Sequence, residues 1–225
     1  MTTKHIDFYF DYISHNAYLM WHQLPALAEK YQCSVRPIPV LFAGFLKAYG
    51  QLGPAEIEPK SAWMNRNVWR KALQLGIPFN TPARHPFNPL LLLRMTAADM
   101  PASQRESLTG HLFRSIWADQ IDPTDREQMT DYLEKRGFPA RNLMASANDS
   151  RVKDRVKTNT EQCLARGGFG VPTALADGEL FWGFDDLPYL EKHLAGDDPL
   201  QAVDLDTITE EWKLCVQRGN HRQVR

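Results

Sequence analysis

Asp7-Phe8-Tyr9-Phe10-Asp11-Tyr12-Ile13-Ser14-His15-Asn16-Ala17-Tyr18 is the stretch from which the rest of the chain can be read. Ile6, Phe8 and Phe10 alternate with Asp7 and Tyr9, the period of two of a strand with one buried face. From Ala17 the period lengthens: Met20, Leu24, Leu27, Ala28 and Tyr31 recur three or four apart, as on one stripe of a helix. The helix is expected to begin near Asn16, which leaves Ser14 at the joint. The first N–H groups of a helix lack internal partners and together carry about half a positive charge, so an anion beside Ser14 is stabilised there. Pro25 falls inside the helix. It removes one ladder hydrogen bond and crowds the carbonyl of Trp21, and a kink costing about 3 kcal/mol is expected.

Outward from this stretch, Ser-Val-Arg-Pro-Ile-Pro-Val-Leu-Phe at 34–42 is β-rich but punctuated by Pro37 and Pro39, which suits an edge strand or one that stops early. Strand, helix and strand within so short a span make a βαβ unit with a parallel pair and a right-handed crossover. From 44 to 168 the alternation disappears and helical periods take over. Met64, Val68, Ala72 and Leu75 share one face, closed by Gly76 as a C-cap. Asn88-Pro89 leads into a helix at 90–95, and Ser103…Glu106 and Thr124…Glu127 fit capping boxes. Helices are also expected at 141–147 and 152–166, the last stopped by Gly167-Gly168. The β pattern returns in Gly170-Val171-Pro172-Thr173-Ala174-Leu175-Ala176 and Glu179-Leu180-Phe181-Trp182-Gly183, joined by the hairpin signal Asp177-Gly178. Helices follow at 185–193 and around 210–216. The expectation is one discontinuous domain, 1–43 with 169–225, which rebuilds a small mixed sheet from both ends of the chain. An all-helical domain, 44–168, is inserted between the halves.

Composition narrows the function. The chain has 225 residues, 43% hydrophobic and 24% charged, and its net charge of −1 offers no basic field to nucleic acid or to an anionic membrane. No apolar run approaches the roughly 20 residues that cross a bilayer, and the start lacks a basic-then-apolar leader, so a cytoplasmic protein is expected. Cys33, Cys163 and Cys215 are far apart, with neither a Cys-x-x-Cys pair nor metal-ligand spacing. They are expected to be ordinary buried or half-buried thiols, with no metal bound. Disulfide exchange is disfavoured by the same spacing.

Taken in order, Phe-Tyr-Phe-Asp-Tyr-Ile-Ser at 8–14, the helical insertion, Gly170-Val171-Pro172-Thr173 and Phe181-Trp182-Gly183-Phe184-Asp185 resemble the 2-hydroxychromene-2-carboxylate isomerase and kappa-class glutathione transferase family over 6–193. The resemblance implies an α/β class, a thioredoxin fold with a large all-helical insertion between its βαβ and ββα halves. It also implies a glutathione site. Ser14 takes the place of the first cysteine of disulfide oxidoreductases and donates a hydrogen bond to the bound thiolate. Val171, cis to Pro172, offers its backbone N–H and C=O to the cysteinyl part of glutathione. Gln51 stands where asparagine is usual, and Lys60 pairs with a glutathione carboxylate. Phe184 replaces a small polar residue, and Asp185 binds the glutamyl ammonium. For Ser14 a plain helix cap competes with this role, and for Lys60 and Asp185 a solvated lysine and an N-cap do.

His15 and Asn16 depart from the proline and the aromatic or small residue usual after the serine. His15 reads as an exposed histidine or as a titratable group close to the thiol. The function implied is a glutathione-dependent isomerase of a small 2-hydroxychromene-2-carboxylate-like aromatic substrate, working through reversible thiolate addition in a homodimer. A kappa-like glutathione transferase and a non-catalytic thioredoxin-like binding protein are the alternatives. An acceptor pocket lined by side chains such as Trp63, Phe87 or Trp182 would discriminate the first two, although all three also read as core aromatics.

Overall fold

The computed structural model describes residues 5–220, with side chains from 5 to 216. The N-terminal strand β1 (His5–Phe10) runs into α1 (His15–Lys30) and on to β2 (Ser34–Pro39). Seven helices follow: α2 (Phe42–Tyr49), α3 (Glu58–Leu75), α4 (Leu90–Ala97), α5 (Ala102–Trp117), α6 (Arg126–Glu134), α7 (Ala140–Ser146) and α8 (Ser150–Ala165). The chain then returns to the sheet with β3 (Thr173–Ala176) and β4 (Glu179–Trp182), and ends in α9 (Leu187–Ala195) and α10 (Leu205–Asn220). The four strands lie in the order β2-β1-β3-β4. β1 is parallel to β2, with Phe8 opposite Pro37, and antiparallel to β3, with Phe8 opposite Ala174. This is the α/β arrangement that the resemblance implies, and β2 lies at an edge of the sheet, the first of the two places that Pro37 and Pro39 suit.

β1 departs from the expected strand with one buried face: all of it beyond His5 is buried. The reason is its central place, with helices on both sides. Phe8, Phe10, Tyr12, Tyr18 and Phe113 pack on one side, with Phe10 centred 5.1 Å from Tyr12 and 5.2 Å from Phe113. On the other, Tyr9 joins Val40, Phe45, Cys163 and Leu175. Asp7 tolerates burial because Arg36 Nε lies 2.5 Å from one carboxylate oxygen and Arg166 3.2 Å from the other.

Two of the expected caps are different residues. α5 begins at Ala102 after Pro101, so Ser103 lies in its first turn and caps nothing. At α6 it is Asp125, not Thr124, that accepts from Glu127 N and Gln128 N, each at 3.0 Å; the Thr124 hydroxyl turns to Asp122 instead. A carboxylate is the stronger acceptor for these orphan amides. The Asp177-Gly178 turn forms as read: φ is 51° and 92°, both positive, as a two-residue hairpin of type I′ requires. Gly168 is needed for another reason, since a Cβ there would stand 2.5 Å from Cys163 Sγ and 2.9 Å from its carbonyl oxygen.

The chain divides into two compact units, 1–187 and 188–225. In the second, His193 Nδ1 lies 3.2 Å from Asp198 Oδ2, and Ile208 and Trp212 of α10 are exposed. Cys215 is exposed as well, unlike the buried or half-buried thiol expected, while Cys33 is half-buried and Cys163 buried.

Candidate functional site

Between β1 and α1 the chain turns over a buried carboxylate. Asp11 is fully buried; its Oδ1 accepts from Ile13 N at 3.1 Å, its Oδ2 from Phe42 N at 2.9 Å, and its carbonyl from Ser14 N at 3.0 Å. Burial drives its pKa up to about 7, against the opposing pull of those amides from Phe42 and Ile13. Trp117 Nε1 holds the same turn by donating to the Tyr12 carbonyl at 3.0 Å, and the Tyr12 hydroxyl meets Thr96 Oγ1 at 2.6 Å.

Ser14 follows with φ −94° and ψ 111°, the extended conformation of an N-cap, and its Oγ accepts from Ala17 N at 3.2 Å. Capping and anion binding are compatible. The cap occupies one lone pair, which leaves the hydroxyl hydrogen to donate to a group placed before the helix. The amides of His15 and Asn16, in the first turn, point the same way as in any helix start.

His15 is not exposed, as its place after the turn had suggested, but only 9% accessible. Its ring meets Trp117 edge-on at 5.8 Å, and its Nδ1 is enclosed without a hydrogen-bond partner. Burial, then the charges of His85 and Lys71, push its pKa down to about 4. His85 Nε2 lies 3.1 Å from the Ile13 carbonyl, and its ring is 5.6 Å from Trp117. A histidine whose folded pKa is depressed resists protonation, so its contribution to stability is intact above about pH 6.5 and is lost as pH falls toward 4. We therefore predict that His15→Gln flattens the decline in unfolding free energy between those limits. Urea titrations at stepped pH would detect it, and an unchanged slope would reject the assignment.

On the other side of the α1 start, the chain leaves β4 through Phe184 and Asp185. α1 touches both this turn and α3. Lys71 of α3 reaches across: its Nζ lies 2.7 Å from Asp185 Oδ1 and 5.1 Å from the centre of the Phe184 ring. Asp185 does not cap a helix; it sits within the short 3₁₀ turn Phe184–Asp186 with its side chain 75% exposed. Asp186 instead accepts from Trp182 N at 2.9 Å.

The other expected site residues lie as follows. Val171 is half-buried against the Tyr9 and Phe45 cluster, and its bond to Pro172 is cis. Pro172 presents its carbonyl to Gly183 N at 2.9 Å. Gln51 is exposed one residue beyond Gly50, which ends α2, and Lys60 is exposed in the first turn of α3. Of the aromatics considered for an acceptor pocket, Trp63 and Trp182 are 58% and 47% exposed, so neither is a core residue, whereas Phe87 is buried. The structure adds Asp11, Lys71 and Trp117. Asp11 was visible within the decisive stretch; Lys71 reads only as one polar position of α3, and Trp117 only as the last apolar residue of α5.

Among the described residues no three His, Cys, Asp or Glu side chains are grouped to hold a metal, and no helix is long and apolar enough to cross a membrane. What the arrangement can do is hold an anion before α1, with a hydroxyl donor, neutral imidazoles and an ammonium–carboxylate pair around it.

The model of the DsbA-like thioredoxin domain matches residues 5–195. A 2-hydroxychromene-2-carboxylate isomerase of Sphingobium xenophagum is 30% identical over 85% of this chain and 98% of its own length. Glutathione S-transferase kappa 1 of Rattus norvegicus is 22% identical over 80% of this chain and 84% of its own. Among solved structures, a 2-hydroxychromene-2-carboxylate isomerase superposes with a TM-score of 0.78 at 24% identity, covering 96% of this chain and 98% of that one.

Proposed function

Since the chain belongs to the DsbA-like thioredoxin domains, within the family of 2-hydroxychromene-2-carboxylate isomerases and kappa-class glutathione transferases, we propose that it is a glutathione-dependent isomerase of a 2-hydroxychromene-2-carboxylate-like aromatic substrate. The observation that carries this reading is Ser14, a hydroxyl donor at the first turn of a sixteen-residue helix with no thiol of its own at that position.

Bound glutathione supplies the thiolate, which adds reversibly to an unsaturated carbon conjugated to a carbonyl so that rotation can occur before elimination. Ser14 Oγ–H donates to the sulfur, and the α1 start favours its anionic form. Val171 presents its peptide N–H and C=O as an edge for the cysteinyl unit, Asp185 accepts the glutamyl ammonium, and Lys60, with Gln51, faces a carboxylate. Lys71 holds Asp185 in place until then. His85, exposed beside the turn, borders the approach, while His15 is buried behind it, and the Trp117 ring contacts both. A homodimer is assigned by resemblance to the family.

Incubation with a 2-hydroxychromene-2-carboxylate, with and without glutathione, tests the reading. Isomerisation that needs glutathione but leaves it unconsumed supports it. Recovery of a conjugate would favour the transferase, to which the rat relative points. No binding of glutathione at millimolar concentration, measured by calorimetry, would remove both and leave a binding protein. Asp185→Asn is predicted to weaken glutathione about tenfold, the low end for a charge-assisted hydrogen bond because the group is exposed. Equal affinity of the two proteins would take Asp185 out of the site.

A further inference from the structure

We propose that Asp11 is a positioning residue of this site: its carboxylate ties the Ser14 turn to the start of α2, and its negative charge opposes the formation of a thiolate beside Ser14. The proposal rests on the glutathione reading above. The geometry is that of a carboxylate with zero exposure, bonded by the amides of Ile13 and Phe42, while its own carbonyl takes the Ser14 amide. It is thus fixed on the turn that presents Ser14, three residues away along the chain.

No charged side chain contributes to its titration, which burial and the two amides govern. The groups around it are uncharged or engaged near neutral pH. On the adjoining backbone, the Tyr12 phenol is pushed up by burial and stays protonated. From α1, His15 is neutral above about pH 4. From α2 comes the Phe42 amide, Lys47 being in the last turn of that helix; from α8 comes the Thr160 hydroxyl, which accepts from Leu41 N at 3.0 Å. From α3, Lys71 is paired with Asp185. With its titration centred at about pH 7, Asp11 is divided near neutrality between a charged and an uncharged form.

The step concerned is the loss of the thiol proton to water, which leaves the negative charge on sulfur. The α1 start stabilises that charge. An ionised Asp11 under the same turn disfavours it, since like charges raise each other's pKa. A reversible addition gains from this balance. The sulfur must attack and later leave, and a thiolate stabilised too far is a weaker nucleophile although a better leaving group.

The test uses the full-length protein with glutathione. Calorimetry comes first, and absence of binding to the unaltered protein would overturn the glutathione reading itself. With binding in hand, the far-ultraviolet thiolate absorbance of the complex, less that of the protein alone with its own cysteines, is followed against pH for the unaltered protein, Asp11→Asn and Asp11→Ser. The neutral variants are expected to lower the midpoint of glutathione ionisation by roughly half to one pH unit, the size of a moderate interaction between two charges. A merely structural role changes affinity or thermal stability and leaves this midpoint in place or raises it, because the helix start is held less well. A midpoint unchanged or raised in both variants overturns the proposal. Asparagine retains one acceptor oxygen, so one backbone amide loses its partner; if neither variant folds, the curve of the unaltered protein decides. Coupling spreads it over a wider pH range than a single proton gives, and a one-proton curve overturns the proposal.

Discussion

Ser14→Ala is expected to lower glutathione-dependent turnover by roughly 100- to 1,000-fold, the loss typical when one donor to a developing anion is removed. The alanine deletes the only side-chain atoms that can face the sulfur from this position, but it leaves the helix start and the backbone edge at Val171. Glutathione should therefore still bind, at an affinity reduced far less than the rate. The same substitution removes the cap on Ala17 N, which costs about 1 kcal/mol of stability and cannot by itself produce such a loss. Ser14→Thr separates the effects, since it keeps a hydroxyl on the same backbone. Rates from the absorbance change of a hydroxychromene carboxylate, taken at saturating glutathione, give the comparison, and undiminished turnover in Ser14→Ala would end the thiolate argument.

Phe10→Ala should cost about 3–5 kcal/mol, a large part of the 5–15 kcal/mol that holds a typical domain folded. Phe10 has no exposure and meets three other rings: Phe8 stacked at 5.4 Å, and Tyr12 and Phe113 at 5.1 and 5.2 Å. Neighbours fixed in the central strand and in α5 have little room to collapse into the space. Denaturant midpoints report the loss directly, while Phe10→Leu, which retains most of the volume, should lose much less. A cost below about 1 kcal/mol would mean that the aromatic layer relaxes around the gap.

The contrast between these residues explains what could be read in advance. Phe10 announces itself by its period, because burial on a strand repeats along the chain, and the hairpin announces itself because Asp177-Gly178 must adopt positive φ. Ser14 was legible for a similar local reason, as a capping residue between two periods. Lys71 and Trp117 were not. Each acts across space on a residue distant in sequence, Lys71 on Asp185 and Trp117 on the Tyr12 carbonyl, and neither position in its own helix differs from an ordinary one. His15 misled because a polar residue after a turn is normally solvated, whereas here Trp117 covers it. The burial of both faces of β1 was hidden likewise: alternation cannot reveal a second layer when its inward residues are Asp7, neutralised by two arginines, and Tyr9, bonded to Arg166.

The strand order has a consequence for how the protein is made. β1 leaves a ribosome well before its second neighbour, β3, because the whole helical segment lies between them. Until Thr173–Ala176 emerges, one edge of β1 presents unpaired backbone groups to whatever is nearby. Ser14 is then already synthesised, but Val171 is not. The two halves of the candidate site can meet only after the helical segment between them has been translated, and until then the unpaired edge of β1 favours aggregation over folding.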